Sequence, residues 1–213
     1  MTPEPPADCA ACPRLAAFRG DNRAARPSYH NAPVAAFGPE DARVLVVGLA
    51  PGLHGANRTA RPFTGDAAGA VLYPALQRAR LARGPFSPDG DDDLTLVGCR
   101  ITNAVRCVPP DNKPTAAEIR VCRDTYLAPE LAALSDLTAI VALGRVAHEA
   151  VLAAHGLVKA RYPFAHGRTH ALPGGRVLAD SYHCSRYNMN TGRLTEAMLD
   201  AVLTDARARA FGA

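Results

Sequence analysis

The sequence of 213 residues lacks any hydrophobic run long enough to cross a membrane. A transmembrane helix needs roughly 18 consecutive apolar residues, whereas the apolar run at residues 44–47 ends at Gly48. The N-terminal segment up to residue 12 is rich in proline and contains no apolar stretch, so we expect no secretory signal. These absences exclude a membrane protein and predict an intracellular, cytoplasmic protein with no membrane partner.

Lysine is also scarce, with 2 lysines beside 22 arginines. Codon usage in a GC-rich genome explains such a bias, although the guanidinium fork is also well suited to binding phosphate. The net charge of +4 permits a polyanionic partner without establishing one.

Internal repeats and long linkers are absent as well, so we expect a single domain over residues 1–213. The patterns of buried strands lie within residues 43–48, 94–105, 137–143 and 176–179, and helical patterns lie at residues 67–82, 115–134, 145–155 and 195–210. Thr115 and Glu118 form a capping-box pair at the start of the second helix. Alternating strands and helices predict an α/β fold, namely a three-layer α/β/α sandwich around a central, mostly parallel four-stranded sheet.

Four of the six cysteines fall into two groups that can bind metal. Cys9 and Cys12 lie close together near the N-terminus, whereas Cys107 and Cys122 are widely spaced. Four thiolates can hold a tetrahedral zinc ion or an iron–sulfur cluster, and four unligated thiols are a third possibility. The wide second spacing favours a cluster, since zinc knuckles are closely spaced. A cluster would tie an N-terminal arm, residues 1–30, to the rest of the domain.

Polar loops follow the predicted strands. Ligands of parallel sheets bind at the carboxyl ends of the strands, so the loops after Gly48, Thr102 and Asp180 are the expected site. Residues 48–66 are rich in glycine, proline and polar side chains, which is typical of a pocket lined by backbone. The acidic run at residues 89–93 is interpreted as a solvated turn, with a metal site as the alternative.

These loops resemble those of the iron–sulfur uracil-DNA glycosylases, most closely the type-5 branch found in bacteria and archaea. The resemblance rests on residues 48–52 (GLAPG), 57–59 (NRT), 63–66 (FTGD), 102–110 (TNAVRCVPP), 112–114 (NKP) and 181–183 (SYH) through 191–195 (TGRLT), and it extends from residue 9 to about residue 199. It implies the fold of that family and a monomeric, nucleoid-associated DNA repair hydrolase that acts on uracil in single- or double-stranded DNA. It also implies one structural [4Fe–4S] cluster, with four ligands, Cys9, Cys12, Cys107 and Cys122.

The sequence departs from the family pattern at three positions. The related type-4 enzymes carry glutamate at the position of Leu49. The water-activating Asp or Asn of the wider superfamily falls on Ala50, which cannot act as a base, and the type-5 branch shares this feature. Cys184 replaces the proline that usually follows the motif histidine. Ala50 leaves a second reading open, a non-catalytic iron–sulfur DNA-binding module. An electron carrier is disfavoured, because no redox feature accompanies the cysteines.

The loops contain a candidate for each step of base excision. The resemblance makes Phe63 a stacking platform for the base, against an ordinary core phenylalanine. The Asn103 amide offers a donor and an acceptor to the imide edge of uracil, or it caps a turn. His183 can hydrogen-bond the uracil oxygen on which negative charge develops, against a structural role. Because Ala50 cannot activate water, we expect Asp66 to do so, against a role as helix cap.

Three small residues of the first loop, Gly48, Ala50 and Gly52, are expected to line the base-binding pocket. Relatives with strict uracil specificity place a bulky aromatic residue at the position of Gly52. The resemblance therefore implies a wider pocket that also admits hypoxanthine and other damaged bases.

DNA contacts are expected around this pocket. The loop after His183 resembles the minor-groove wedge of the superfamily, with Tyr187 at its tip. The other expected DNA contacts are Arg58, Arg61, Ser185, Arg186 and Arg193, with ordinary surface charge as the alternative for the arginines.

Overall fold

The computed structural model describes residues 2–212, so the first and last residues of the predicted domain, Met1 and Ala213, lie outside the described residues. The strands are β1 (Val44–Gly48), β2 (Ala82–Arg83), β3 (Thr95–Leu96), β4 (Cys99–Asn103), β5 (Ala139–Leu143), β6 (Thr169–Ala171) and β7 (Val177–Ser181). The helices are α1 (Pro13–Ala25), α2 (Ala56–Thr59), α3 (Ala67–Arg78), α4 (Ala116–Cys122), α5 (Ala128–Ala133), α6 (Arg145–Ala154), α7 (Arg186–Asn190) and α8 (Glu196–Phe211). A π-helical turn, Arg123–Leu127, joins α4 to α5.

The central sheet has five strands in the order β4-β1-β5-β7-β6. The first four are parallel and β6 is antiparallel to β7. The predicted α/β class and mostly parallel sheet are confirmed, whereas the predicted number of four strands is wrong. Strand β6 has three residues, too few to produce a readable alternation, and it is paired on one side only.

Alternate residues of the central strands are buried on opposite faces of the sheet. On β1, Val44 and Val46 pack into one hydrophobic core, which also contains residues of α3 and α8. Leu45 and Val47 pack into a second core with residues of α5 and α6. Each fully buried side chain of this size contributes about 1.5–3 kcal/mol. The two cores make the three layers that the sequence predicts.

The predicted start of the helix after Pro114 is confirmed. The Thr115 hydroxyl accepts a hydrogen bond from the Glu118 N–H at 3.2 Å, and the Glu118 carboxylate accepts one from the Thr115 N–H at 2.7 Å. Helix α3 ends at Arg78, four residues before the predicted end, because the chain turns into the short strand β2. No helix within residues 2–212 is both long and apolar enough to cross a membrane.

A buried ion network holds the N-terminal segment against the sheet. Glu4 pairs with Arg100 at 3.1 Å and with Arg106 at 2.9 Å. The fully buried Glu130 pairs with the same two arginines, at 2.8 and 2.6 Å. Removing one partner of such a network leaves an uncompensated buried charge, which typically costs about 3–5 kcal/mol. The network therefore fixes the segment that leads into Cys9 and Cys12 beside the residue that precedes Cys107.

Candidate active site

The loops that follow β1, β4 and β7 meet at a cavity of about 150 Å³, which we call the polar pocket. Its lining residues are Leu49, Ala50, Pro51, Gly52, Ala56, Phe63, Asp66, Ala68, Asn103, Asn112 and His183. The carboxyl ends of the parallel strands thus place most of the predicted catalytic and base-binding residues around one cavity, as expected for this type of sheet.

Gly48 supports the pocket without lining it. A Cβ atom at this position would collide with the Asn103 side-chain oxygen and would lie 2.6 Å from the Phe63 ring. Only glycine therefore allows Asn103 and Phe63 to occupy their positions.

Phe63 is held in an unusual backbone conformation. Its φ angle of 57° is in the left-handed region, which is rare for a bulky residue. The Tyr73 hydroxyl donates a hydrogen bond to the Pro62 carbonyl at 2.7 Å, and Gly69 of α3 leaves no room for a side chain against the Phe63 carbonyl. The Phe63 ring lies 5.9 Å from the His183 ring, centroid to centroid, at an interplanar angle of 31°. The surrounding structure therefore fixes the ring as one wall of the pocket.

Asn103 and His183 bring unpaired polar groups to the pocket. Asn103 ends β4 and is 3% exposed. Within residues 2–212, neither the Asn103 amide nor the His183 imidazole has a hydrogen-bond partner. Burial lowers the pKa of His183 from its ordinary value, and the nearby Asp66 carboxylate partly opposes this shift. The imidazole is therefore neutral at neutral pH.

The two oxygens of Asp66 face different partners. Oδ1 accepts hydrogen bonds from the N–H groups of Ala68 and Gly69 at 3.0 and 3.1 Å and caps α3. Oδ2 points to the first loop, where a Cβ atom at Gly55 or Gly52 would lie 2.7 or 3.4 Å away. The alternatives foreseen for Asp66 are thus compatible, since one oxygen caps the helix while the other faces the pocket.

Four of the expected DNA contacts lie near helix α7. Ser185 caps this helix by accepting a hydrogen bond from the Asn188 N–H at 3.3 Å. Arg186 is exposed, and Tyr187 is 71% exposed at the surface. The Arg193 guanidinium lies 4.7 Å from the centroid of the Tyr182 ring.

The remaining two arginines pair with the acidic run. Arg58 forms an exposed ion pair with Asp89 at 2.6 Å. Arg61 makes two hydrogen bonds of 2.7 Å to Asp92, and the two side chains are only 11% and 4% exposed. Hydrogen bonding to Arg61 holds the pKa of Asp92 far below its ordinary value.

These contacts bear on two predictions. The Arg61 guanidinium also lies 5.1 Å from the ring centroids of both Phe37 and Tyr73, and this burial favours a structural role over the predicted phosphate contact. The acidic run is largely the exposed turn that the sequence predicts, whereas the Asp92 carboxylate within it is buried and accepts hydrogen bonds from the Ser87 and Leu94 N–H groups. The pair instead fastens the acidic run to the loop that carries Phe63.

All four cysteines of the two predicted groups line a second cavity, which we call the cysteine pocket. Its volume is about 10 Å³, and its other lining residues include Leu15, Val105 and Tyr126. Burial raises the pKa of Cys107 to about 11 and that of Cys122 to about 12.

The cysteine pocket fits an iron–sulfur cluster better than a zinc ion. No three of its sulfur atoms, all within the described residues, lie within 4.8 Å of one another. Sulfurs bound to a single zinc ion at about 2.3 Å stand only about 3.8 Å apart, whereas a polynuclear cluster separates them further. The Arg106 N–H donates to the Cys122 sulfur at 3.3 Å and Arg19 donates to the Cys107 sulfur at 3.7 Å. Such hydrogen bonds to sulfur are common around iron–sulfur clusters.

The structure adds one pocket residue and one network that sequence reasoning did not single out. Asn112, in the left-handed conformation with φ 56°, lines the polar pocket; its only signal was its place in the NKP motif. Asp180, at the end of β7, accepts hydrogen bonds from buried His148 at 2.6 Å and His170 at 3.3 Å. These contacts fix the strand end that leads into His183.

Comparison with known proteins shows extensive similarity to one family. The family model described as Uracil DNA glycosylase superfamily matches residues 35–207. The chain is 52% identical over 204 residues to the type-5 uracil-DNA glycosylase of Thermus thermophilus, covering 93% of this chain and 92% of that protein. It is 47% identical over 207 residues to that of Mycobacterium leprae, covering 93% and 90%. Similarity to a type-4 uracil-DNA glycosylase of Pyrobaculum aerophilum is 34% over 110 residues and covers 51% of this chain.

Proposed function

The chain belongs to the type-5 branch of the uracil-DNA glycosylase superfamily, and from this premise we propose how its residues carry out the reaction. It is a DNA repair hydrolase that excises uracil and leaves an abasic site. The observation that carries the assignment of roles is the polar pocket, where an unpaired amide, an unpaired imidazole and one oxygen of a helix-capping carboxylate surround a fixed aromatic ring.

The first role is to hold the flipped base. The Phe63 ring supplies a flat apolar surface, and the Asn103 amide supplies one donor and one acceptor to the imide edge of uracil. The amide has no hydrogen-bond partner within residues 2–212 and faces the cavity, so its donor and acceptor are available to a bound base. Asn112 lines the same cavity and is a further polar contact for the base.

The second role is to stabilise the leaving group. The bond between deoxyribose C1′ and the uracil ring nitrogen breaks with its electron pair remaining on the base, through a transition state that resembles an oxocarbenium ion. Neutral His183 donates a hydrogen bond to the uracil oxygen that gains charge. A preorganised donor of this kind contributes about 10²–10³-fold in rate.

The third role is to deliver water to C1′. Ala50 has no group for this purpose, whereas Asp66 Oδ2 faces the pocket while Oδ1 stays bound to the helix. Asp66 orients the water and accepts its proton as the oxygen bonds to C1′, and the released uracil anion is protonated from solvent.

The pocket also admits bases other than uracil. Gly52 lines the cavity, and an added Cβ would lie 3.4 Å from the Asp66 carboxylate and 3.9 Å from the Gly55 nitrogen, both ordinary contact distances. The absence of a side chain at this wall leaves room for hypoxanthine and for damaged pyrimidines.

We further propose that Cys9, Cys12, Cys107 and Cys122 would hold one structural [4Fe–4S] cluster. The cluster would supply a crosslink rather than a step of the reaction, because these residues lie in the segment before α1, in the loop after β4 and in helix α4. Ala50 packs against residues that line the cysteine pocket and itself lines the polar pocket, so the cysteines lie close to the base-binding cavity.

DNA reaches the polar pocket by flipping the uracil nucleotide out of the stack, which costs a few kcal/mol. Tyr187 and Arg186 fill the vacated space, and Ser185, Arg58 and Arg193 contact the backbone. All residues with a proposed role in the pocket lie in one chain, which supports the proposal of a monomer acting where the genome is held.

The test uses labelled oligonucleotides carrying one uracil or one hypoxanthine, followed by alkaline cleavage at abasic sites. We expect cleavage of both strands by the wild type, with uracil excision by His183→Ala reduced by about 10²–10³-fold at unchanged DNA affinity. Cleavage of the uracil strand alone would contradict the proposal that the pocket also admits hypoxanthine. Salt-sensitive binding without any cleavage would instead identify a non-catalytic DNA-binding module. The control His155→Ala lies at the end of α6, outside the pocket, and should behave like the wild type.

A further inference from the structure

Helix α1 carries three arginines, two of which are exposed and bind carboxylates. The Arg14 guanidinium pairs with Glu118 at 2.7 Å, and that of Arg23 pairs with Asp8 at 2.6 Å. Arg19 differs from both, since its side chain is buried and the residue is only 5% exposed. In the part of the chain that the structure describes, Arg19 has no carboxylate partner.

The Arg19 guanidinium contacts one cysteine of each group. Its Nη1 donates to the Cys107 sulfur at 3.7 Å, and its Nη2 donates to the Cys9 carbonyl at 2.9 Å. The third nitrogen, Nε, is buried and has no hydrogen-bond partner within residues 2–212. Arg19 therefore bridges two residues that line the cysteine pocket, one in the N-terminal segment and one in the loop after β4.

The charge of Arg19 requires an explanation, because an ionised group that is buried loses its hydration and needs an opposite charge nearby. The carboxylates that contact helix α1, those of Asp8 and Glu118, are bound to its other two arginines. The sulfur of Cys107 is the group that Arg19 contacts instead. Cysteine binds metal as the thiolate, so a [4Fe–4S] group held by four cysteines is an anion overall.

We propose that Arg19 is the counter-ion of the iron–sulfur cluster, a proposal that rests on the cluster assigned under the proposed function. Its positive charge offsets the negative charge that the four thiolates bring into a buried site. Nearby charge and hydrogen bonds to sulfur set the reduction potential of such a cluster. Arg19 therefore controls how tightly the cluster is held and at what potential it is reduced, without being a ligand itself. An arginine that only tethers the N-terminal segment would need its hydrogen bond to the Cys9 carbonyl and not its charge.

The test compares Arg19→Gln with Arg19→Lys in the full chain, purified anaerobically with its cluster. Glutamine keeps an N–H donor but has no charge, whereas lysine keeps the charge on a single nitrogen. Loss of a nearby positive charge favours the oxidised cluster, so the midpoint potential of Arg19→Gln should fall below that of the wild type. Arg19→Lys should stay closer to the wild-type potential. In competition with a chelator, the affinity of Arg19→Gln for iron should fall about 10–100-fold, as when other residues that support metal ligands are replaced.

The matched control is Arg120→Gln. Arg120 is an exposed arginine of α4, the helix that ends at Cys122. Its replacement removes the same charge, but solvent and salt screen an exposed charge far more than a buried one. The control should therefore keep the wild-type potential and retain its iron.

Two results would overturn the role of Arg19. One is a potential of Arg19→Gln equal to that of Arg120→Gln, and the other is an equal loss of iron from Arg19→Gln and Arg19→Lys, which would identify a structural tether. If Arg19→Gln binds no iron at all, Arg19→Lys decides between charge and tether by whether it retains the cluster. Failure of the proposed function is a separate result, because a wild type that keeps its cluster but leaves uracil in place would contradict base excision alone. A wild type without iron would overturn the cluster and the role of Arg19 together.

Discussion

The cysteine pocket and the polar pocket are neighbours, since Ala50 lines the polar pocket and packs against residues that line the cysteine pocket, but the two differ in volume and in lining. The cysteine pocket is about 10 Å³ in volume and is lined largely by apolar and sulfur groups. The polar pocket is about 150 Å³ and contains an amide and an imidazole without partners. The cysteine pocket thus offers sulfur ligands, whereas the polar pocket offers hydrogen-bonding groups.

The two pockets also differ in the stage at which each is expected to bind its ligand, during folding or during turnover. Burial raises the pKa of Cys107 to about 11, so a thiolate there forms only at the cost of desolvation unless a metal is bound. Metal binding at such a site is part of folding. In the proposed mechanism, the side chains of the polar pocket instead gain partners from a base that enters and leaves in each turnover. The proposed cluster would therefore stabilise the native state, whereas the polar pocket would serve a ligand that is bound only transiently.

Removing one cysteine ligand should have the largest effect. Cys107→Ser should lose both the brown colour of the proposed cluster and cooperative folding, because the binding free energy of a structural metal group is part of the folding free energy, and domains are stable by only about 5–15 kcal/mol. Iron content per chain and thermal melting measure the two losses. Cys99→Ala, in the buried strand β4, is the matched control and should keep its iron. A colourless Cys107→Ser protein that melts and excises like the wild type would mean that no cluster is needed here.

Substitutions of Asp66 separate its proposed role in catalysis from its role as the cap of helix α3. Asp66→Asn keeps the cap oxygen and loses the base, so single-turnover excision should fall by about 10²–10⁴-fold while stability changes little. Asp66→Ala should show the same loss of rate and about 1 kcal/mol lower stability, because the cap is lost as well. Thermal melting and a uracil oligonucleotide at saturating enzyme give both values. Near-normal excision by Asp66→Asn would leave Asp66 as a helix cap alone.

Gly48 and Gly52 have different proposed roles, since Gly48 supports Asn103 and Phe63 whereas Gly52 lines the polar pocket. An alanine at Gly48 would collide with Asn103 and crowd Phe63, so Gly48→Ala should lower stability by about 1–3 kcal/mol and reduce uracil excision at least tenfold. Gly52→Ala adds a methyl group at an ordinary contact distance from Asp66 and should keep uracil excision, while reducing hypoxanthine excision by a few-fold. The ratio of the two rates in each variant is the measurement. Equal losses of uracil and hypoxanthine excision in both variants would contradict the different roles proposed for Gly48 and Gly52.

The sequence predicted those elements whose structure follows from one local pattern of residues. Strand β1 is a continuous apolar run and α4 begins with a capping box, and both were recognisable from the residues. Helix α1 was not, because its buried residues include Arg19 and Asn22, which have no apolar periodicity. The role of Arg61 was equally hidden, since its partner Asp92 is brought to it only by the folded loops.

The candidate site was predictable for a different reason. The ends of parallel strands meet at one edge, so loops that are far apart in sequence could be assigned to one cavity before any contact was known. The pattern could not show which hydrogen-bond partners each side chain has or which backbone conformation each residue adopts. The two separate partners of the Asp66 oxygens and the left-handed backbone of Phe63 depend on contacts that only the fold defines.

The smallest expected effect is a pH dependence that belongs to the polar pocket. Burial lowers the pKa of His183, so below its ordinary value near 6.5 the unfolded chain binds more protons than the native protein. The free energy of unfolding should therefore be complete above about pH 6.5 and should decline as the pH falls toward the lowered native pKa. His183→Gln removes this contribution, so denaturant unfolding of wild type and variant between pH 7 and 5 should give curves that converge toward acid pH. His166, whose pKa is also lowered by burial, leaves part of the decline in both proteins. Parallel curves would show that His183 is solvated in the native protein. The contrast between the cysteine pocket and the polar pocket would then rest on their volumes alone.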